Sequence, residues 1–391
     1  MKLNHGLHLA YCTNIHRGES WPEIFDALQR YTLKVKERVC YDEPYAIGLR
    51  LSARAAQELN DGNALLEFQH WLEREQCYVF TINGFPYGQF HGTRVKEQAY
   101  LPDWTSPERL AYTNLLFDLL AQIVPAGVEG SVSTVPCGFK ELLTTSEQFS
   151  ECCKNLWRCV EHIAKASERT GRKLHLGLEP EPLCVLEKTD EVLDFFARMN
   201  AEHPNDPRLA EHLGVNYDTC HLAVEFEEPR EAISALIRNG IRLSKIHLSS
   251  ALKLQPTSEV RRVLESFSDD VYFHQTIVRT AEGKRLAFRD LPDALRDSPT
   301  PSPHSEWRVH FHIPLHSPPT RLFDTTSDHL LGVLDLLKEN PRMSSHLEME
   351  TYTWEVLPPE LKNRDVVEQL SAEYEWTLAR LAERGLARKQ R

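Results

Sequence analysis

Long apolar runs are missing from this sequence, and so is any surplus of positive charge. No window approaches the ~18 apolar residues of a membrane span, and the first residues, Met1-Lys2-Leu3-Asn4-His5-Gly6, lack an apolar stretch of signal-peptide length. Net charge is −12, which leaves no bulk basic footprint for nucleic acid or an anionic membrane surface. Paired cysteine spacing is lacking too. Nine cysteines, an odd number, are scattered along the chain and point to reduced thiols in a cytosolic compartment. Cys152-Cys153 and Cys159 fall in a helical pattern and read as packing residues, since free cysteine is a common buried hydrophobe. Together these absences argue against a transmembrane protein, a disulfide scaffold and a nucleic-acid binder. The expectation is a cytoplasmic protein that meets a small molecule; a homo-oligomer is compatible with all of this.

What is present is an ordinary globular composition, 41% hydrophobic and 26% charged, over 391 residues. That length suits two average domains or one decorated (β/α)8 barrel, and the pattern favours the second. Short apolar runs alternate with helical periodicity. Strands are expected at Leu7 to Cys12, Ala46 to Leu51, Cys77 to Ile82, Val128 to Val135, Leu174 to Glu179, Leu213 to Asp218 and Leu243 to Leu248. An eighth is expected at His346 to Glu350. Helices lie between them. Ser20 with Glu23 reads as a capping box opening a helix through Val35, and a second helix runs through Leu59 and Leu72. Ser106 caps another with Pro107 at its first position, and Gly171 stops the helix Ser146 to Thr170. Repeated βα units demand a parallel sheet. After the seventh strand the rhythm breaks over about 251–308, with a hairpin at Val271 to Thr280 and Arg285 to Asp290 and a Pro/Ser-rich stretch at Ser298 to Ser305. The expected organisation is a barrel over 1–358, this insertion, and a helical tail over 359–391 whose last residues, Ala387 to Arg391, are loose.

Chemistry-bearing residues close several strands. Glu179, Asp218, His247 and Glu350 end strands five to eight in turn, 39, 29 and 103 positions apart. Barrel strands converge at their C-terminal face, so four such ends can meet. Carboxylates and imidazole suit a divalent cation, Mg²⁺ or Mn²⁺ preferring oxygen and Zn²⁺ accepting both. His221 follows Asp218 by three positions and reads as a ligand, a substrate-contacting base or a helix-start residue bonded to backbone. His310 and His312 alternate with Val309, Phe311 and Ile313 and so share a face; His312 is the nearer to the strand's end and is taken as a further ligand, His310 as a substrate contact. His16 and His91, on loops, are expected to be structural or to touch substrate, as is His274; His175 lies inside a strand and is expected to pack.

The order Leu178-Glu179, Asp218-Thr219-Cys220-His221, Ile246-His247 and Met349-Glu350-Thr351 resembles the xylose isomerase-like barrel superfamily, along the whole barrel. Leu178-Glu179-Pro180-Glu181-Pro182, Asn216-Tyr217-Asp218-Thr219-Cys220-His221, Arg308-Val309-His310-Phe311-His312 and Glu350-Thr351-Tyr352-Thr353-Trp354-Glu355-Val356-Leu357-Pro358 resemble the EboE family of metabolite traffic proteins. The superfamily resemblance implies a divalent metal on Glu179, Asp218, His247 and Glu350. It also implies an isomerase or epimerase of a sugar-like metabolite in which Glu179 and Glu350 move a proton between adjacent carbons. The related endonucleases carry Asp-x-His where this chain has His310-Phe311-His312, a departure that argues against a full trinuclear zinc centre. Two other functions stay open: a metal-dependent phosphoester hydrolase, and a non-catalytic carrier that keeps the metal site.

Overall fold

Strands that are apolar on the side packed against the helices, and the helices between them, build the barrel that the pattern calls for. The computed structural model describes residues 1–91, 94–268, 271–299, 302, 304–353 and 364–388. The first seven strands are β1 (His8–Tyr11), β2 (Tyr45–Arg50), β3 (Cys77–Asn83), β4 (Gly130–Thr134), β5 (Leu174–Leu178), β6 (Leu213–Asp218) and β7 (Arg242–Leu248). Five short strands follow: β8 (Leu252–Leu254), β9 (Thr276–Arg279), β10 (Arg285–Phe288), β11 (Glu306–Val309) and β12 (Asp324–Thr325). The barrel resumes with β13 (His346–Met349).

Eight strands pair in the order β1-β13-β7-β6-β5-β4-β3-β2, parallel throughout. A parallel bridge between Cys12 and Gly48 brings the two edges together, so the barrel is nearly closed. Side chains alternate across each strand. Val215, Tyr217, Ile246, Leu248, Leu347 and Met349 join the main hydrophobic core, where the helices cover the sheet. Their neighbours Asn216, Asp218, Lys245, His247, His346 and Glu348 are buried polar groups. Lys245 on β7 reaches Ser133 on β4 at 3.1 Å, across the interior. The inside of this barrel is therefore polar where branched apolar residues usually fill it.

Between β7 and β13 the chain forms a second sheet, ordered β10-β9-β11-β8-β12 and antiparallel at every pairing. It has its own core, in which Leu252, Val278, Trp307, Val309, Phe311 and Ile313 pack together. This sheet extends to Thr325, beyond the end near residue 308 that the sequence suggests. The expected strand through Ile313 stops at Val309, yet the alternation persists, leaving His310 and His312 opposite the apolar residues.

Two helices differ from expectation. The one opened by the Ser20–Glu23 capping box has a π-helical turn at Leu28–Thr32 before continuing as Leu33–Val39. The helix through Leu59 and Leu72 is two, Ala53–Asn60 and Ala64–Arg74. Gly62 between them adopts φ +59, a left-handed conformation that glycine tolerates and a continuing helix cannot contain. At the far end Asp365 caps the helix Val366–Glu383. The motif Trp354 to Pro358, most of the segment before that cap, and residues 389–391 of the tail lie outside the described residues.

Candidate metal centre at the barrel mouth

The C-terminal ends of β5, β6, β7 and β13 bring Glu179, Asp218, His247 and Glu350 together. One donor atom from each lies within 4.8 Å of the others, and all four side chains are buried. Two donors on one ion at ~2.0–2.4 Å each can be no more than about 4.8 Å apart, so the spacing fits a shared cation. His247 Nδ1 is the hub, 3.0 Å from Glu179 Oε1, 3.1 Å from Glu350 Oε2 and 3.5 Å from Asp218 Oδ2.

Asp218 and Glu350 are each anchored through one oxygen by groups outside the cluster. Asp218 closes β6 and caps the helix Thr219–Val224. Its Oδ1 accepts from the Cys220 and His221 backbone N–H groups at 2.7 and 3.0 Å and from Ser249 Oγ at 2.6 Å. Glu350 Oε1 accepts from Asn14 and Asn83 at 2.8 and 3.2 Å. Asp218 Oδ2 and Glu179 Oε2 are buried with no hydrogen-bond partner. A buried unpartnered carboxylate oxygen is costly, and two of them beside one imidazole suit a divalent cation.

Electrostatics agree. Burial would push the Asp218 carboxyl up, but His221, His247 and His312 hold it well below its ordinary value. Burial would lower His247, yet Glu350 and Glu179 drive it well above the usual range.

A second group adjoins the first. His221 and His312 lie within the same reach of Asp218 and of each other. His221 Nδ1 is 3.0 Å from the Pro180 carbonyl, His312 Nδ1 is 3.0 Å from the Glu350 carbonyl, and His310 Nδ1 is 2.8 Å from Gln275 Oε1. With each Nδ1–H donated to an oxygen, the Nε2 lone pairs remain. These face one another, His312 Nε2 being 3.4 Å from that of His221 and 3.2 Å from that of His310.

Glu181, two positions beyond Glu179, borders the same cluster and accepts from Tyr100 Oη at 2.7 Å. Burial pushes its carboxyl up to about 7. The cavity above the site is lined by Glu179, Glu181, His221, His310 and Glu350 and walled by the rings of Phe85, Phe90, Tyr100, Tyr272, Phe273 and Tyr352. Neither His16 nor His91 lines it. His16 stacks on Tyr31 and is 2.8 Å from Tyr11 Oη, and both histidines border a separate groove. His274 is buried and stacks on Phe311 beside the second sheet, and His175 is buried 2.5 Å from Ser244 Oγ. All nine cysteines are free and buried.

Sequence reasoning pointed to Tyr100 and to the loop Cys12 to His16, which contains Asn14, as cover for a small polar substrate, and Tyr100 and Asn14 line this cavity. It missed Glu181, Gln275 and Asn83 as parts of this site. The Glu-Pro-Glu spelling at 179–181 is a signal for Glu181; nothing local marks the others.

Eight parallel strands, four of them with acidic or imidazole side chains at the C-terminal end, make a nearly closed TIM barrel, and a solved protein described as a xylose isomerase-like TIM barrel shares its fold. That protein, from Mycobacterium smegmatis and solved in complex with magnesium, is similar at TM-score 0.54 and 12% identity, over 98% of this chain and 99% of that one. A D-allulose 3-epimerase from Methylomonas sp., solved with D-allulose, matches at TM-score 0.51 and 12% identity over 97% and 98% of the two chains. A D-psicose 3-epimerase from Clostridium cellulolyticum H10, solved with D-tagatose, matches at 0.50 and 11% over 97% and 99%. At such identities the likeness establishes the fold. No family model matches the chain, and no curated protein matches it by sequence.

Proposed function

We propose that this protein is a metal-dependent isomerase or epimerase of a sugar-like or polyhydroxylated small metabolite. The observation that carries the reading is the converging set Glu179, Asp218, His247 and Glu350 with its two orphaned carboxylate oxygens. These four side chains would hold one divalent ion, Mn²⁺, Mg²⁺ or Zn²⁺. When bound, the ion would polarise a substrate carbonyl and hydroxyl and stabilise developing enediolate charge. Glu179 and Glu350 enter from β5 and β13, with β6 and β7 between them in the sheet. One would take a proton from carbon, and the other would return one to the opposite face of that carbon in an epimerisation or to the neighbouring carbon in an isomerisation. Asn14 and Asn83 hold Glu350 by its other oxygen, and His310, in the cavity wall, would contact the substrate. The fold shared with ketose 3-epimerases supports this reading without naming a sugar.

The test is solvent exchange. Metal-loaded protein incubated in D₂O with a panel of ketoses and polyhydroxylated cyclic ketones should place deuterium on carbon, and Glu350→Gln should stop it. A loaded protein that exchanges none of the panel but releases phosphate from esters would replace this reading with hydrolysis. The observation favouring hydrolysis is the second group: His221 and His312 would hold another ion sharing Asp218 with the first, and paired ions suit phosphoester displacement. The EboE-like motifs support a place in metabolite production and traffic, where tight binding without turnover would mark a carrier.

A further inference from the structure

We propose that Glu348, charge-balanced by Lys245, is the positioning residue that fixes the ring and tautomer of His247 for metal binding. The inference rests on the metal-centre reading above. On β13 the two-residue period puts Glu348 on the same inner side as Glu350, one layer deeper, and the register pairs Glu348 with His247. Glu348 Oε2 lies 2.8 Å from His247 Nε2 and 2.5 Å from Lys245 Nζ. Lys245 and Glu348 are 1% and 0% exposed.

This geometry divides the work of the imidazole. With Nε2–H donated to Glu348, Nδ1 is the nitrogen turned to Glu179, Asp218 and Glu350, and its lone pair is the one available to an ion. A carboxylate behind a ligating histidine fixes its tautomer and raises its basicity. A carboxylate buried without a counter-charge would be strongly unfavourable, and Lys245 removes that obstacle. The barrel also makes room. A Cβ at residue 48 would sit 1.9 Å from Glu348 Oε1 and 2.7 Å from the Tyr11 carbonyl, so β2 carries glycine where Glu348 passes. An ion pair kept for stability alone would not need its shared oxygen to reach the ring nitrogen of a candidate ligand.

The test compares two double variants, neither of which buries an unpaired charge. Lys245→Met with Glu348→Gln keeps an oxygen acceptor for His247; Lys245→Met with Glu348→Leu does not. Metal-free wild type and both variants are titrated with Zn²⁺ against a competing chelator, Co²⁺ absorption spectra are recorded, and the metal-free proteins are melted. The Gln variant should bind close to wild-type affinity. The Leu variant should bind about 10–100-fold more weakly with a changed Co²⁺ spectrum, while melting like the Gln variant. Equal affinity and equal spectra in the two variants would overturn the positioning role. Wild type that takes up no divalent ion overturns the metal-centre reading itself, an outcome seen before any variant is compared.

Discussion

Asp218 uses its two oxygens for different purposes, and the difference can be measured. Oδ1 caps a helix through two backbone N–H groups, while Oδ2 is buried and unpartnered. Asn at this position keeps a capping oxygen, so Asp218→Asn should change metal-free stability by less than about 1 kcal/mol and yet lower divalent-metal affinity more than tenfold. Chemical denaturation and metal titration of the same variant check both halves. His247 adds a pH dependence. Its pKa is raised well above 6.5 despite burial, because Glu350 and Glu179 face it. An ion must displace that proton, so metal affinity should rise with pH and uptake should release protons into a weakly buffered indicator solution. Uptake with no proton release would contradict the hub geometry. At this scale the sequence was partly legible. Strand-final carboxylates and His247 declare themselves because a barrel strand's end points into the mouth. Gln275 does not, because its place depends on an insertion folding over that mouth.

Between elements, the segment after β3 and the second sheet close over the site and hold one another. Val95 and Lys96 donate backbone N–H groups to the Val271 carbonyl at 2.8 and 3.1 Å, and Tyr272 Oη donates to the Phe90 carbonyl at 3.1 Å. Lys96 Nζ pairs with Asp290 Oδ2 at 2.6 Å, the side chains 10% and 9% exposed. Asp290 in turn caps the helix Leu291–Asp297. Lys96→Met strands a nearly buried carboxylate, so it should cost about 3 kcal/mol, the lower end for a broken buried pair. It should also speed chelator removal of bound metal by loosening this cover. A variant as stable as wild type with unchanged metal release would show that the pair does not hold the cover. The barrel strands were legible because short segments with apolar residues at alternate positions recur between helical stretches. β8 and β12, three and two residues long, were not, since neither is long enough to show a period.

At the scale of the whole molecule, buried titratable groups set a stability window. Burial lowers His8 and His329 to about 4 and His16 and His91 to about 3. A base with a lowered folded pKa contributes stability above its unfolded value near 6.5, lost as pH falls toward 3–4. Burial raises Glu373 to about 7 and Glu225 to about 9. A group raised in this way contributes below its unfolded value near 4.5 and loses that contribution as pH climbs through 7 and 9. Melting of metal-free protein should therefore peak at mildly acidic pH and fall on both sides; a Tm flat from about pH 5 to 9 would contradict these burials. The eightfold βα order was readable along the chain, and so was the order of the four residues proposed as metal ligands. The polar interior was less so, because alternation shows which residues share a face but not that Lys245, Ser133 and Glu348 meet across it. Among the described residues no helix is long and apolar enough to cross a membrane.

The central claim is that Glu179, Asp218, His247 and Glu350 hold a divalent ion. Elemental analysis of natively purified protein beside Asp218→Ala tests it most directly. The account predicts at least one equivalent of a divalent metal per chain in the wild type and its loss in the variant. A wild type without metal, or a variant with unchanged metal content, would contradict it.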